Sequence, residues 1–202
     1  IGNFKPTHEV RLGSTLDLTE TSSILGERLR RGLDLRIRKA NKEGGLKGGF
    51  LRLFFANDKY TPSLTLQNVQ KFIAEDQTTL ILSPLGTPTT KALIPLSEEE
   101  KILVLFPYSG GNIFRNPNLK NFINYRASYA EEAAALVRYA KEFLFSQRFA
   151  FFFQDDDYGH APLNAAKKIL LEEYNISEDA ICEASYQRNT VLVESAAMKI
   201  EQ

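Results

Sequence analysis

Short apolar runs alternate with amphipathic segments along the whole chain, and this alternation predicts an α/β fold. Runs of strand length occur at residues 9–14, 50–56, 80–82, 102–106, 122–125, 148–154 and 180–186. The segments between them carry apolar residues every three or four positions, which is helical spacing. Strands separated by helices of this length form right-handed β-α-β units, so the pattern predicts mostly parallel sheets flanked by helices.

The first predicted helix has its apolar residues at helical spacing and arginines on its other face; the apolar positions are Leu25, Leu29, Leu33, Ile37 and Ala40. The glycine-rich segment 44–49 ends this helix. A phosphate-binding loop follows a strand and precedes a helix, whereas this segment has the reverse order, so we interpret it as a turn. Further helices are predicted at 63–75 and 87–97. A capping box at Ser128 and Glu131 opens another helix. A later helix, after Gly159, ends at about Tyr174, and the last helix begins at about Thr190.

Residues 80–93 are the centre of the functional prediction. An apolar run ends in Ser83-Pro84, Gly86 permits a turn, and Thr87 is a candidate N-cap with Pro88 at the first helical position. A strand that leads into a helix N-terminus presents unpaired N–H groups and the positive end of a helix dipole, which bind carboxylates or phosphates. Capping of its own helix is the alternative role for Thr87.

The strand before the acidic run, residues 148–154, contains four phenylalanines and is predicted to be buried on both sides. The run itself, Asp155-Asp156-Asp157, is the one feature that favours Mg²⁺, because adjacent carboxylates at a strand end suit a hard cation. Helix capping by Gln154 and Asp157 is the alternative. No Cys/His metal spacing and no Gly-x-Ser-x-Gly motif accompany the two histidines, so no catalytic constellation is predicted.

Composition adds limits rather than a function. The 202 residues suffice for one large domain or two modest ones, and 25 basic residues balance 25 acidic ones, so no nucleic-acid partner is indicated. The single cysteine, Cys182, excludes an internal disulfide and is expected to be a core thiol. The first residues lack a signal-peptide pattern, as in a cytosolic protein or an exported protein that has already been processed.

The chain resembles the branched-chain amino-acid (leucine/isoleucine/valine-binding) family of type I periplasmic solute-binding proteins. The motifs that carry the resemblance are Leu18-Thr19 with Gly26 and Gly32-Leu33, Asn41 to Gly48, Asn57-Asp58 with Pro62, Gly86 to Thr90, and Asp155 to Gly159. The resemblance implies a two-lobed α/β protein, with residues 1–126 forming most of the first lobe and 127–202 beginning the second. It implies no cofactor, no metal and no catalysis.

The resemblance also implies a set of ligand-binding residues for an interlobe cleft. Thr87 would hydrogen-bond a carboxylate, Tyr108, Ser109 and Gly110 would form the next ligand loop, and Tyr158 would close over the ligand. Leu25, Leu85 and Gly86 would line the pocket, and Tyr129 stands where many amino-acid binders have an aspartate. Gly110 and Tyr129 depart from the amino-acid pattern, so an aromatic or keto acid fits as well as an amino acid.

The function that the resemblance implies is that of an exported, processed periplasmic protein that delivers a small carboxylate to the permease of an ABC transporter. The alternatives are the extracytoplasmic sensor domain of a membrane receptor and a Mg²⁺-dependent Rossmann-like enzyme. The last predicted helix runs to Gln202 without a cap, so we expect a truncated second lobe. Apolar surface left uncovered by truncation would favour self-association.

Overall fold

The structure, a computed structural model, describes residues 8–201, which form two compact units. The first unit comprises the described residues up to Tyr108 together with Pro117–Tyr125. The second comprises Ser109–Asn116 and the described residues from Arg126 onward. The lobe limits drawn from the sequence, 1–126 and 127–202, stay a prediction.

The first unit is a five-stranded parallel sheet with helices. Its strands follow the spatial order β2-β1-β3-β4-β5, and every pair of neighbours is parallel. The elements are β1 (His8–Leu16), α1 (Ser23–Lys42), β2 (Gly49–Asn57), α2 (Pro62–Ala74), β3 (Leu80–Leu82), α3 (Thr87–Lys91), α4 (Leu93–Glu99), β4 (Leu103–Leu105) and β5 (Phe122–Ile123). Its fully buried apolar side chains include Leu16, Val69, Ile81, Leu93 and Val104.

The second unit contains two parallel strands and three helices, with short 3-10 turns at Asn112–Arg115 and Glu178–Ala180. Its other elements are α5 (Tyr129–Glu142), β6 (Phe149–Gln154), α6 (Asp157–Glu172), β7 (Ile181–Tyr186) and α7 (Glu194–Glu201). Its core is formed by Ala133, Val137, Ala166, Leu170 and Ile176, with Phe149 and Phe151 packed against them. No helix within residues 8–201 is long and apolar enough to cross a membrane.

The predicted α/β class with parallel strands is confirmed, and three local predictions are wrong. The helix predicted at 87–97 is two helices, because Pro95 has no N–H and its ring would clash with the carbonyl of Lys91 in a continuous helix. The last helix begins at Glu194 rather than near Thr190, and its predicted end at Gln202 lies outside the described residues.

The third wrong prediction concerns β6, which is not buried on both sides. Exposed and partly buried residues alternate along it, and Phe152 is 48% exposed. Phe149, Phe151 and Phe153 share one face because successive side chains of a strand point to opposite sides. The run of phenylalanines therefore has two faces with different environments.

The start of α1 is held by the loop that leaves β1. The buried Asp17 carboxylate accepts hydrogen bonds from the main-chain N–H groups of Thr19 (3.2 Å), Glu20 (2.8 Å) and Ser22 (2.8 Å). In the first turn of the helix, a Cβ at Gly26 would overlap the main-chain oxygen of Asp17. Only glycine allows the helix and this loop to approach so closely.

We expect Gly26→Ala to lower the free energy of unfolding by about 1–3 kcal/mol, because the added methyl group must push the helix away from the loop. The matched control is Gly32→Ala in the same helix, where a Cβ would meet nothing within 4 Å. That control should raise stability by about 0.5–1 kcal/mol through helix propensity. Urea denaturation of both variants tests the prediction, and equal effects would contradict it.

Candidate functional site

Ligands of open parallel sheets bind beyond the carboxyl ends of the strands, and several predicted site residues of this chain follow such ends. In the first unit, the loop 83–87 after β3 contains predicted site residues Leu85, Gly86 and Thr87, and all three are buried. Tyr108 follows β4 in the neighbouring position of the sheet. The structure therefore brings these four predicted residues together.

Main-chain hydrogen bonds extend the sheet through this loop. Leu85 N donates to Thr15 O at 3.3 Å, and Gly86 N donates to Tyr108 O at 3.3 Å. Tyr108 N donates in turn to Pro84 O at 2.9 Å. The loop is thus joined to the ends of β1 and β4 on both sides, which fixes the position of its backbone.

Gly86, and not Thr87, is the residue that caps α3. Gly86 has φ +97°, a left-handed conformation that favours glycine, and Thr87 is the first helical residue. A Cβ at position 86 would also overlap the ring of Tyr60. The predicted N-cap at Thr87 is therefore wrong, because a tertiary contact with a residue of another loop sets the turn one residue earlier.

Sequence reasoning missed the two threonines that follow Pro88. Thr89 Oγ1 donates to the main-chain oxygens of Leu85 and Gly86 (3.1 Å to the latter), and Thr90 Oγ1 lies 3.5 Å from Pro84 O. Both side chains are fully buried. Their hydroxyls therefore hold the loop carbonyls in place, and the pattern Thr89-Thr90 after a turn was the available signal.

A buried carboxylate, Asp58, supports the same strand ends. It accepts hydrogen bonds from Thr15 Oγ1 (2.8 Å), Thr65 Oγ1 (3.1 Å) and Tyr60 N (2.9 Å). Burial nevertheless raises the pKa of Asp58 above its ordinary value, with a smaller contribution from the nearby Asp17. Because its oxygens are engaged and the residue is wholly buried, Asp58 acts on the site through Thr15 and Tyr60.

The second unit holds the other predicted site residues except Leu25, which lies on α1 and is 38% exposed. Ser109 Oγ accepts a hydrogen bond from Gly111 N at 3.0 Å, and Gly110 O accepts one from Tyr129 N at 2.7 Å. A Cβ at Gly110 would lie 2.5 Å from the Tyr129 ring. The tyrosine at 129 therefore requires the glycine at 110.

Tyr129 begins α5, and the predicted capping box holds it there. Ser128 Oγ accepts from Glu131 N at 3.1 Å, and the Glu131 carboxylate accepts from Ser128 N at 2.7 Å. The Tyr129 ring contacts the ring of Tyr158 edge to face, with centroids 5.5 Å apart. Burial raises the pKa of Tyr158 above its ordinary value. A tyrosine hydroxyl is protonated at neutral pH even without this shift, so it can donate a hydrogen bond.

These two tyrosines line a pocket of about 350 Å³ within the second unit. Most of its walls are apolar or aromatic and include Phe152, Tyr186 and Leu136. The charged lining residue is Glu132, and Arg126 lies 3.2 Å from its carboxylate. The pocket is suited to an apolar or aromatic group rather than to an unpaired cation.

The acidic run caps a helix. Asp156 Oδ1 accepts from Tyr158 N at 2.9 Å, and its other oxygen accepts from Gln154 Nε2 at 2.6 Å. Asp155 pairs with His160 at 2.8 Å. Among residues 8–201 no group of three or more His, Cys, Asp or Glu side chains is arranged to hold a metal ion. The capping residue is Asp156, which lies two positions after Gln154 and one before Asp157, the residues named in the capping alternative.

Comparisons with known proteins agree with this architecture. The model of the periplasmic binding protein family matches residues 9–177. A Leu/Ile/Val-binding protein homolog 3 from Brucella melitensis is 22% identical over 162 residues, which cover 79% of this chain and 43% of that protein. The chain therefore spans less than half the length of this curated relative.

Solved structures show the same fold. A possible leucine/isoleucine/valine-binding protein from Rhodopirellula baltica has a TM-score of 0.86 and 25% identity, covering 98% of this chain and 53% of its own. A fatty acid ABC transporter substrate-binding protein from Thermomonospora curvata has a TM-score of 0.79 and 16% identity, covering 99% and 50%. Two proteins with different named cargoes thus have folds similar to this chain.

The raised pKa of Asp58 gives a prediction about stability and pH. Because the folded state holds this proton more tightly than the unfolded state, the contribution of Asp58 to stability falls as the pH rises above 3.8, the ordinary carboxyl value. Asparagine does not titrate, so Asp58→Asn should not lose stability in this way. The unfolding free energy of the variant minus that of the wild type should therefore increase as the pH rises towards neutral. Denaturation at several pH values measures this difference.

The control is Asp179→Asn, at an exposed position, which should follow the wild-type pH profile. A constant offset between Asp58→Asn and wild type at all pH values would show that burial does not shift the titration of Asp58.

Proposed function

This chain belongs to the periplasmic binding protein family, and we propose that it is part of an extracytoplasmic solute receptor of an ABC importer. The observation that carries the proposal is the family match over residues 9–177, which includes most of both compact units. In this function the protein captures a small solute and passes it to a membrane permease. No chemical step is part of the proposal.

The solute that we propose is a small carboxylate. The amino acids and the fatty acid in the names of the relatives have different tails and share a carboxylate. In the first unit the carboxylate contact would be made by Thr87, with Leu85 and Leu25 as apolar neighbours, since the N–H groups of Leu85 and Gly86 already donate to Thr15 O and Tyr108 O. Hydrogen bonds from neutral donors to a carboxylate are charge-assisted, so a cationic side chain is not needed.

The residues of the second unit favour a solute with an apolar or aromatic tail. Tyr129 occupies the space beside Gly110, and its ring meets the Tyr158 ring edge to face. The carboxylate that lines this pocket, that of Glu132, is paired with Arg126. An α-ammonium group would find no unpaired acid among these pocket residues, which favours an aromatic or keto acid over an amino acid.

A thermal-shift screen of the purified protein against amino acids, aromatic acids, keto acids and Mg²⁺ tests the proposal. A ligand at 100 times its dissociation constant adds about 2.7 kcal/mol to stability. We expect a rise in Tm with one class of carboxylate and none with the matching amides or alcohols. A rise with Mg²⁺ alone would contradict the proposal and favour the acidic run as the functional site.

The role of Thr87 can be tested with one substitution that removes its hydroxyl and one that keeps it. We expect Thr87→Val to weaken carboxylate binding by about 1–3 kcal/mol because a buried hydroxyl is lost, while Thr87→Ser keeps most of the affinity. Thr90→Val is the control, since Thr90 is buried on the same short helix and its hydroxyl faces Pro84 O. Isothermal titration calorimetry compares the three variants.

Thr90→Val should lower stability and cost less affinity than Thr87→Val, because the Thr90 hydroxyl acts on the site only through its contact with Pro84 O. Equal losses of affinity in Thr87→Val and Thr90→Val would show that both threonines act only through the loop structure.

A further inference from the structure

The solvent-exposed face of α1 is strongly basic, although the chain as a whole is neutral. The helix carries seven cationic and two acidic side chains, while the complete sequence has 25 of each sign. The rest of the chain therefore has an excess of acidic residues. Positive charge is therefore concentrated on α1, although the net charge of the whole sequence is zero.

Helical geometry places four of the seven cations of α1 in an outward row. With 100° per residue, positions 24, 28, 31, 35, 39 and 42 follow one face of the helix. These positions are occupied by Ile24, Arg28, Arg31, Leu35, Lys39 and Lys42, and all six are exposed. We call this row the outer face of α1. The apolar residues Leu29, Leu33 and Ile37 lie towards the opposite side and are less exposed.

The two acids of the helix do not lie on the outer face. Glu27 and Asp34 are on its flank, where Glu27 pairs with Arg30 (2.9 Å) and Asp34 pairs with Arg38 (2.9 Å). Within residues 8–201 neither Arg28 nor Lys42 has an acidic side chain within ion-pair distance. The other two cations of the outer face have long contacts with acids, Arg31 with Glu27 at 3.9 Å and Lys39 with Glu43 at 3.8 Å. The positive charge of the outer face is thus only partly balanced by its neighbours.

Two large apolar side chains stand among these cations. Ile24 and Leu35 are each 71% exposed. They are eleven residues apart, so they lie roughly 16 Å from each other along the helix axis. Exposed apolar groups of this size within a basic row gain nothing from solvation, whereas burial of both in a partner would be favourable.

We propose that the outer face of α1 binds the surface of an anionic phospholipid bilayer. Such a surface has phosphate groups for the cations and, directly beneath them, an apolar layer that can receive Ile24 and Leu35. A nucleic acid or an acidic polysaccharide would match the cations and leave both apolar side chains exposed. The proposal is independent of which solute the protein carries.

The expected strength follows from the number of charges. Each Lys or Arg near an anionic bilayer strengthens binding about fivefold, so four cations with two inserted apolar side chains support reversible peripheral binding. Because the attraction is screened over about 10 Å at 0.1 M salt, the binding must weaken as salt is added.

Co-sedimentation with vesicles tests the proposal. The chain should bind vesicles of phosphatidylglycerol mixed with phosphatidylcholine and should not bind vesicles of phosphatidylcholine alone. The triple variant Arg28→Glu, Arg31→Glu, Lys39→Glu should lower the partition coefficient about a hundredfold at low salt. The double variant Ile24→Ser, Leu35→Ser should weaken binding and keep its salt dependence.

The charge control is Lys101→Glu, Lys120→Glu, Lys168→Glu, which reverses three exposed cations elsewhere in the sequence and should bind like wild type. Circular dichroism should show that every variant keeps its helix content. Equal binding by the two triple variants, equal binding to both kinds of vesicle, or binding to heparin without binding to anionic vesicles would each overturn the proposal.

Discussion

The candidate site of the first unit depends on one buried carboxylate. Asp58 holds Thr15 at the end of β1, Thr65 in α2 and the main chain of Tyr60. Tyr60 has φ +53°, and its ring fills the space beside Gly86. Gly86 in turn is the N-cap of the short helix α3, and Thr87 is the first residue of that helix. The position of Thr87 is therefore determined by a residue of another loop.

Burial of this carboxylate is costly, and the structure shows how the cost is limited. Three donors surround Asp58, yet desolvation outweighs them in its pKa. The nearby Asp17 avoids direct competition for these donors because it accepts three N–H groups from its own loop. Two buried acids thus each hold a different loop, one at the start of α1 and one at the start of α2.

The parts of the structure that follow local rules were predictable from the sequence. Ser128 and Glu131 form the expected capping box, and the alternation of apolar runs gave parallel strands with flanking helices. Contacts between distant residues were not predictable in the same way. The contact of Tyr60 with Gly86 moved the helix cap away from Thr87, whereas the arginines on one face of α1 follow from its helical spacing alone.

The close approach of Gly110 to the Tyr129 ring also restricts how this sequence can change over evolutionary time. A side chain at position 110 is incompatible with the present ring position, so a hydroxyl residue cannot be gained there while the tyrosine stays in place. A lineage that exchanges this pair must first replace Tyr129 with a smaller residue and only then Gly110. The two positions are epistatic, and one order of mutation is accessible while the reverse order passes through a damaged protein.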